Sequence, residues 1–126
     1  MTDEHHVVLD DSAMLAAGRG SVAASRLIDN AHNRKGWFLY APTCAMVEAD
    51  RVRSGIAEHF ASMPAVRILP LDLSAALSIA RQTTWASAHV QHVAGPTLEH
   101  PEGVAVATAD PARWKGEPIR VIDLTA

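Results

Sequence analysis

The chain has 126 residues with 11 Lys and Arg against 14 Asp and Glu, a formal charge of −3, and a hydrophobic fraction of 48%. That length and apolar content fit a single domain over residues 1–126 with a real core, and no apolar run reaches the ~20 residues of a membrane span. The acidic balance argues against strong nonspecific duplex binding, which needs Lys and Arg to neutralise phosphates, but leaves open a nuclease whose acids are covered by metal. The acids near the N-terminus give no basic-then-apolar leader. The single cysteine, Cys44, rules out an internal disulfide, so a reducing, cytoplasmic setting is expected.

The stretch from His5 to Leu9 reads as a short strand that runs into Asp10, Asp11 and Ser12. In open α/β sheets, ligands sit outside the carboxyl ends of the strands, so acids at this point mark a candidate site. Capping of the next helix by Asp11 or Ser12 accounts for one acid but not both. Met14 to Ala17 forms a short helix closed by Gly18-Arg19-Gly20. Ser21 then caps a second, with Val22, Leu27 and Ile28 apolar, ending near Asn33 to Gly36.

Trp37 to Ala41 is a continuous apolar run between Gly36 and Pro42, the pattern of a strand covered on both faces. Pro42 suits the first turn of a helix, expected to run to about Ser62. Ala45, Ala49, Val52, Ile56, Phe60 and Met63 make its buried stripe. Glu48 lies on the flank of that stripe, the one carboxylate of the helix aimed near the core. Ala65 to Pro70 is a third strand, interrupted by Arg67, and Leu73, Leu77 and Ala80 mark the next helix.

Around Thr83-Thr84-Trp85 the pattern turns β-branched and breaks, and Thr84 can cap a helix through Val93. Ala94-Gly95-Pro96 ends it, and Thr97 to Glu102 is a polar loop. Val104 to Ala107 is a fourth strand leading into Thr108-Ala109-Asp110-Pro111, and Ile119 to Leu124 alternates as an edge strand. Strands alternating with helices give an α/β domain, a mainly parallel sheet of about five strands in a three-layer α/β/α arrangement.

Asp10, Glu48 and Asp110 are the strongest constellation. Two lie at strand ends that share one sheet edge, and three converging carboxylates repel unless protonated or bridged by a cation. Mg²⁺ or Mn²⁺ suits such oxygen donors and stabilises charge on a phosphodiester undergoing hydrolysis.

The order of motifs resembles the PIN-domain family, and most closely its VapC-type toxins. Val8-Leu9-Asp10-Asp11-Ser12-Ala13 is similar to the family's strand ending in Asp-x-Ser. Ala41-Pro42-Thr43 followed by Glu48-Ala49 is similar to its second motif, and Val106-Ala107-Thr108-Ala109-Asp110-Pro111 to its closing Thr-x-Asp. The resemblance covers essentially the whole chain and implies a PIN-like fold and a metal-dependent endoribonuclease. On it, Asp10, Glu48 and Asp110 hold Mg²⁺ or Mn²⁺, while Ser12 and Thr108 orient carboxylates. It further implies an RNA substrate, a homodimer and a cognate antitoxin of VapB type whose Arg pairs with the acids.

One departure stands out. Thr84 occupies the place of a further family Asp, which removes a negative ligand charge. The competing expectation is therefore a degenerate PIN domain that binds RNA or a protein without cutting.

Other patterns carry less. Gly18-Arg19-Gly20-Ser21-Val22-Ala23 matches a dinucleotide fingerprint but does not directly follow a strand. A response-regulator receiver would need a phospho-acceptor Asp after the third strand and a Lys after the fifth. Asp72 follows the awkward Pro70, and Lys35 and Lys115 are misplaced. His89 and His92 lack a third ligand and are expected on a surface or boundary face, with His5 and His6 solvated. Cys44 has no paired base. Trp85 and Trp114 could stack on bases, but packing is expected.

Overall fold

The computed structural model describes residues 4–82 and 84–125. Five strands form one sheet: β1 (His5–Leu9), β2 (Trp37–Pro42), β3 (Val66–Leu69), β4 (Ala105–Thr108) and β5 (Val121–Asp123). Their order across the sheet is β3-β2-β1-β4-β5, and every pairing is parallel. The fold is thus α/β with an all-parallel sheet, as the alternation of elements predicts.

The connections are helical. α1 (Asp11–Gly18) and α2 (Val22–Asn33) join β1 to β2. α3 (Thr43–Val52) and α4 (Ile56–Ala61) join β2 to β3, and α5 (Leu73–Ile79) with α6 (Trp85–Ala94) carries the chain back to β4. Parallel crossovers are right-handed. The reversed third crossover therefore puts α5 and α6 on the face opposite α1, α2 and α4; α6 packs on β1, β2 and β4, and α3 packs against both α1 and α6. Layering on both faces buries Val7, Val8, Leu9, Leu39, Ala41, Val106 and Ala107 together.

The helix expected from Pro42 to Ser62 is two helices. Gly55 takes φ +97, which favours glycine, and Asp50 Oδ1 accepts the Gly55 and Ala57 N–H groups at 2.9 and 3.1 Å. A carboxylate that caps the second segment stabilises the break. Ala45, Ala49, Ile56 and Phe60 are buried as expected, but Val52, at the break, is 67% exposed.

The stripe on α5 is also out of phase with expectation. Asp72 accepts the Ala75 N–H at 2.9 Å and fixes the start of the helix. Ala75 and Ile79 then face inward, leaving Leu73 and Leu77 on the opposite, exposed side. Asp72 is thus a helix cap, a role that accounts for the acid nearest β3 without a phospho-acceptor. Of the expected break at Thr83-Thr84-Trp85, Thr83 lies outside the described residues, and α6 begins at Trp85. Gly103 has φ +75, and a Cβ there would come within 2.6 Å of the Ala94 carbonyl oxygen. The loop can dock on the end of α6 because that side chain is missing, and Val104 N–H donates to Ala94 O at 2.9 Å.

No helix among the described residues is long and apolar enough to cross a membrane.

Candidate functional site

Because β1 lies beside β4, with Leu9 in register with Ala107, their carboxyl ends emerge side by side. Asp10 follows β1 in an extended conformation and caps α1. The cap is therefore Asp10 itself, not Asp11 or Ser12. Its Oδ1 accepts Ala13 N–H at 2.8 Å and Ser12 Oγ–H at 2.6 Å, while Oδ2 accepts Trp114 Nε1–H at 3.0 Å. The residue is fully buried.

Ser12 links the two strand ends. It has one hydrogen to donate, and Asp10 receives it. Its oxygen accepts Ala109 N–H at 2.9 Å and lies 3.0 Å from Thr108 Oγ1. That contact is consequently donated by Thr108, whose own oxygen accepts Asp110 N–H at 2.9 Å. Four residues expected at the site, Asp10, Ser12, Thr108 and Asp110, form one hydrogen-bonded chain.

Arg113 completes the group, and sequence reading missed it. The turn of 3-10 helix from Pro111 to Trp114 starts directly after Asp110 and folds two side chains back over the acids. Trp114 is 3% exposed and donates to Asp10. Arg113 Nη1 donates to Asp11 Oδ1 at 2.5 Å and lies 3.6 Å from Asp10 Oδ2, and Nε lies 3.6 Å from Asp110 Oδ2. Burial lowers the Arg113 pKa, but the hydrogen bond and charge of Asp11, then Asp10 and Asp110, outweigh it and hold the pKa above its ordinary value. The guanidinium stays charged. Its signal in the sequence was an Arg three residues after Asp110, within reach of that acid once a single turn forms.

Glu48 does not join them. It stands on α3, its side chain 44% exposed, with Arg51 Nη1 at 3.7 Å. Among the described residues, no three His, Cys, Asp or Glu are grouped so as to hold a metal ion. Mg²⁺ or Mn²⁺ needs carboxylate oxygens turned to a common point and room for retained waters. Here both oxygens of Asp10 accept hydrogen bonds out of contact with solvent, and a guanidinium stands among Asp10, Asp11 and Asp110. In this arrangement the expected ligands do not fit Mg²⁺ or Mn²⁺.

Beside the acids opens a cleft of about 1010 Å³. The N-terminal turns of α3 and α6, which both start at the carboxyl edge of the sheet, form its walls through Thr43, Cys44, Val47, Glu48, Thr84, Trp85 and Ser87, with Leu71 between them and Arg113 and Trp114 at one end. Thr84 precedes α6 but makes no side-chain capping bond. Trp85 is 65% exposed, so packing does not account for it; Val47 and Leu71 are exposed as well.

Behind this wall, His89 is fully buried, against the surface or boundary position expected for it. Cys44 N–H donates to His89 Nδ1 at 3.3 Å, which leaves the ring proton on Nε2, an atom with no hydrogen-bond partner among the described residues. Burial and the neighbouring His92 push its pKa down; the Pro70 carbonyl and Asp72 pull less strongly upward. Burial alone raises the Cys44 pKa, so nothing there activates a thiolate. His6 stacks on Phe38 and bonds Tyr40 Oη at 2.7 Å instead of standing free in solvent.

Comparison of the chain with protein-family models and with curated proteins returns no match.

Proposed function

We propose that this is a PIN-type domain that does not cut RNA and works as a binding module, its cleft receiving a segment of a partner polypeptide. The observation that carries this reading is the position of Arg113, which supplies a cation among Asp10, Asp11 and Asp110 while Glu48 pairs with Arg51.

The cleft chemistry points towards protein. Its charged lining is Asp11, Glu48 and Glu117 against Arg51 and Arg113. Without a divalent cation, that excess of acid opposes a phosphodiester backbone. Exposed Val47, Leu71 and Trp85 within a charged and amide-bearing rim resemble a protein interface, where aromatic anchors supply much of the affinity.

A second reading, the Mg²⁺- or Mn²⁺-dependent endoribonuclease, is favoured by one observation: Asp10, Ser12, Thr108 and Asp110 meet at adjacent strand ends. One experiment separates the two. RNA incubated with Mn²⁺ or Mg²⁺ is expected to be cleaved no faster by the wild type than by Asp10→Asn, and single-stranded RNA is expected not to quench Trp85. A polypeptide encoded beside the gene should co-purify with the wild type and be lost from Trp85→Ala. Asp10-dependent cleavage, or RNA binding that depends on Trp85, would overturn the proposal.

A further inference from the structure

We infer that Arg113 is the resident cation of the strand-end carboxylates, an internal guanidinium that does the structural work of a divalent ion. The inference rests on the non-cleaving reading and says what holds the cluster together. Three carboxylates lie around one guanidinium where β1 and β4 end. Asp10 is fully buried, the Asp11 side chain is 11% exposed, and only that of Asp110, at 51%, is well solvated. Left alone, such a group must protonate or take up a cation.

Arg113 meets that demand in a way a lysine could not. One planar fork places Nη1 against Asp11 and Asp10 and Nε against Asp110, whereas an ammonium is a single point charge. The short turn from Asp110 makes the contact local. Pro111, which sets φ at the first position of the turn, and buried Trp114 hold the segment on both sides of Arg113. Trp114 also fixes the Asp10 oxygen that faces Arg113, because the same Oδ2 accepts the indole N–H. The carboxylates are thus each engaged within the chain: Asp10 by four groups, Asp11 by the direct Arg113 hydrogen bond, and Asp110 by the Nε side of the fork.

The test replaces the internal cation and asks whether a divalent one takes its place. The probe is Mn²⁺ alone, read by thermal unfolding and by the electron paramagnetic resonance signal of free Mn²⁺. Millimolar Mn²⁺ should leave wild-type unfolding unchanged. Arg113→Gln should melt roughly 10 °C lower, since it strips the partner from largely buried charges. Mn²⁺ should restore a substantial part of that loss and bind ~10-fold more tightly than to the wild type. Adding Asp110→Asn to Arg113→Gln should abolish the response. Arg113→Lys, which keeps the charge, should melt between the two and ignore Mn²⁺.

If Arg113→Gln does not fold on its own, its folding on addition of Mn²⁺ gives the same readout. Mn²⁺ stabilisation of the wild type as large as that of Arg113→Gln would overturn the inference. So would an Arg113→Lys variant as unstable as Arg113→Gln. Neither result requires RNA cleavage, so this inference can fail while the non-cleaving reading stands.

Discussion

Asp10→Asn separates a structural acid from a metal ligand by the sign of its effect on stability. Asn caps a helix about as well as Asp, so its carbonyl oxygen can still accept Ala13 N–H. Its amide nitrogen then faces Trp114 Nε1–H, donor against donor, where the wild-type carboxylate accepts at 3.0 Å. Turning the amide over repairs that contact but loses the cap. Both atoms are buried with Trp114 at 3% exposure, so water cannot compensate. A hydrogen bond to a charged group contributes about 1.5–3 kcal/mol. Relief of repulsion from Asp11 and Asp110 works the other way but is small, because Arg113 already offsets it. The net expectation is a loss of about 2 kcal/mol, or a fall of roughly 6–10 °C in Tm for a domain of this size. Urea unfolding at neutral pH, followed by circular dichroism, measures it. An Asp10→Asn protein as stable as the wild type, or more stable, would refute the reasoning. It would mean that repulsion among the acids dominates and that Asp10 is a strained ligand in need of an ion.

The remaining expectations concern His89 and Glu48. The His89 pKa is lowered in the fold, so above the ordinary histidine value the ring is neutral in both states and pH has no effect through it. Below about 6.5 the unfolded chain takes a proton that the folded one resists, so stability falls as pH falls, by at most about 1.4 kcal/mol per pH unit until the folded pKa is reached. Comparing urea midpoints at pH 7.5 and 5 should show a steeper acid loss in the wild type than in His89→Gln; equal losses would contradict it. Glu48→Ala removes a half-exposed carboxylate whose ion pair spans 3.7 Å, and its stability should change by no more than about 0.5 kcal/mol, with no change in the response to Mn²⁺. A Mn²⁺ effect that depends on Glu48 would place it at an ion site after all.

Much of the fold was legible because parallel strands are written as short apolar runs between turn residues. The runs His5–Leu9, Trp37–Ala41 and Val104–Ala107 for that reason fall within one residue of β1, β2 and β4, Pro42 closing β2 instead of opening the helix. Helix phase was harder. The α5 stripe failed because Leu73 and Leu77 are more apolar than Ala75, yet the cap at Asp72 turns Ala75 and Ile79 inward. The break at Gly55 failed because the carboxylate that makes it, Asp50, is five residues earlier.

In the site, Ser12 and Thr108 entered only through the resemblance to the PIN motifs, whereas Asp10 and Asp110 were readable because strand ends of one polarity share an edge. Arg113 and Trp114 were not, since their role depends on a four-residue turn folding back over an acid more than 100 positions earlier in the chain. His89 was misjudged because periodicity cannot show that the N-terminus of α3 supplies a donor to its ring.

The most direct measurement is a crystal structure of the wild-type chain soaked in Mn²⁺, with anomalous scattering locating the ion. The expected result is Arg113 between Asp10, Asp11 and Asp110, with no anomalous peak among them. A Mn²⁺ ion bridging Asp10 and Asp110, with the Arg113 guanidinium displaced from both, would contradict the central claim that this chain supplies its own cation.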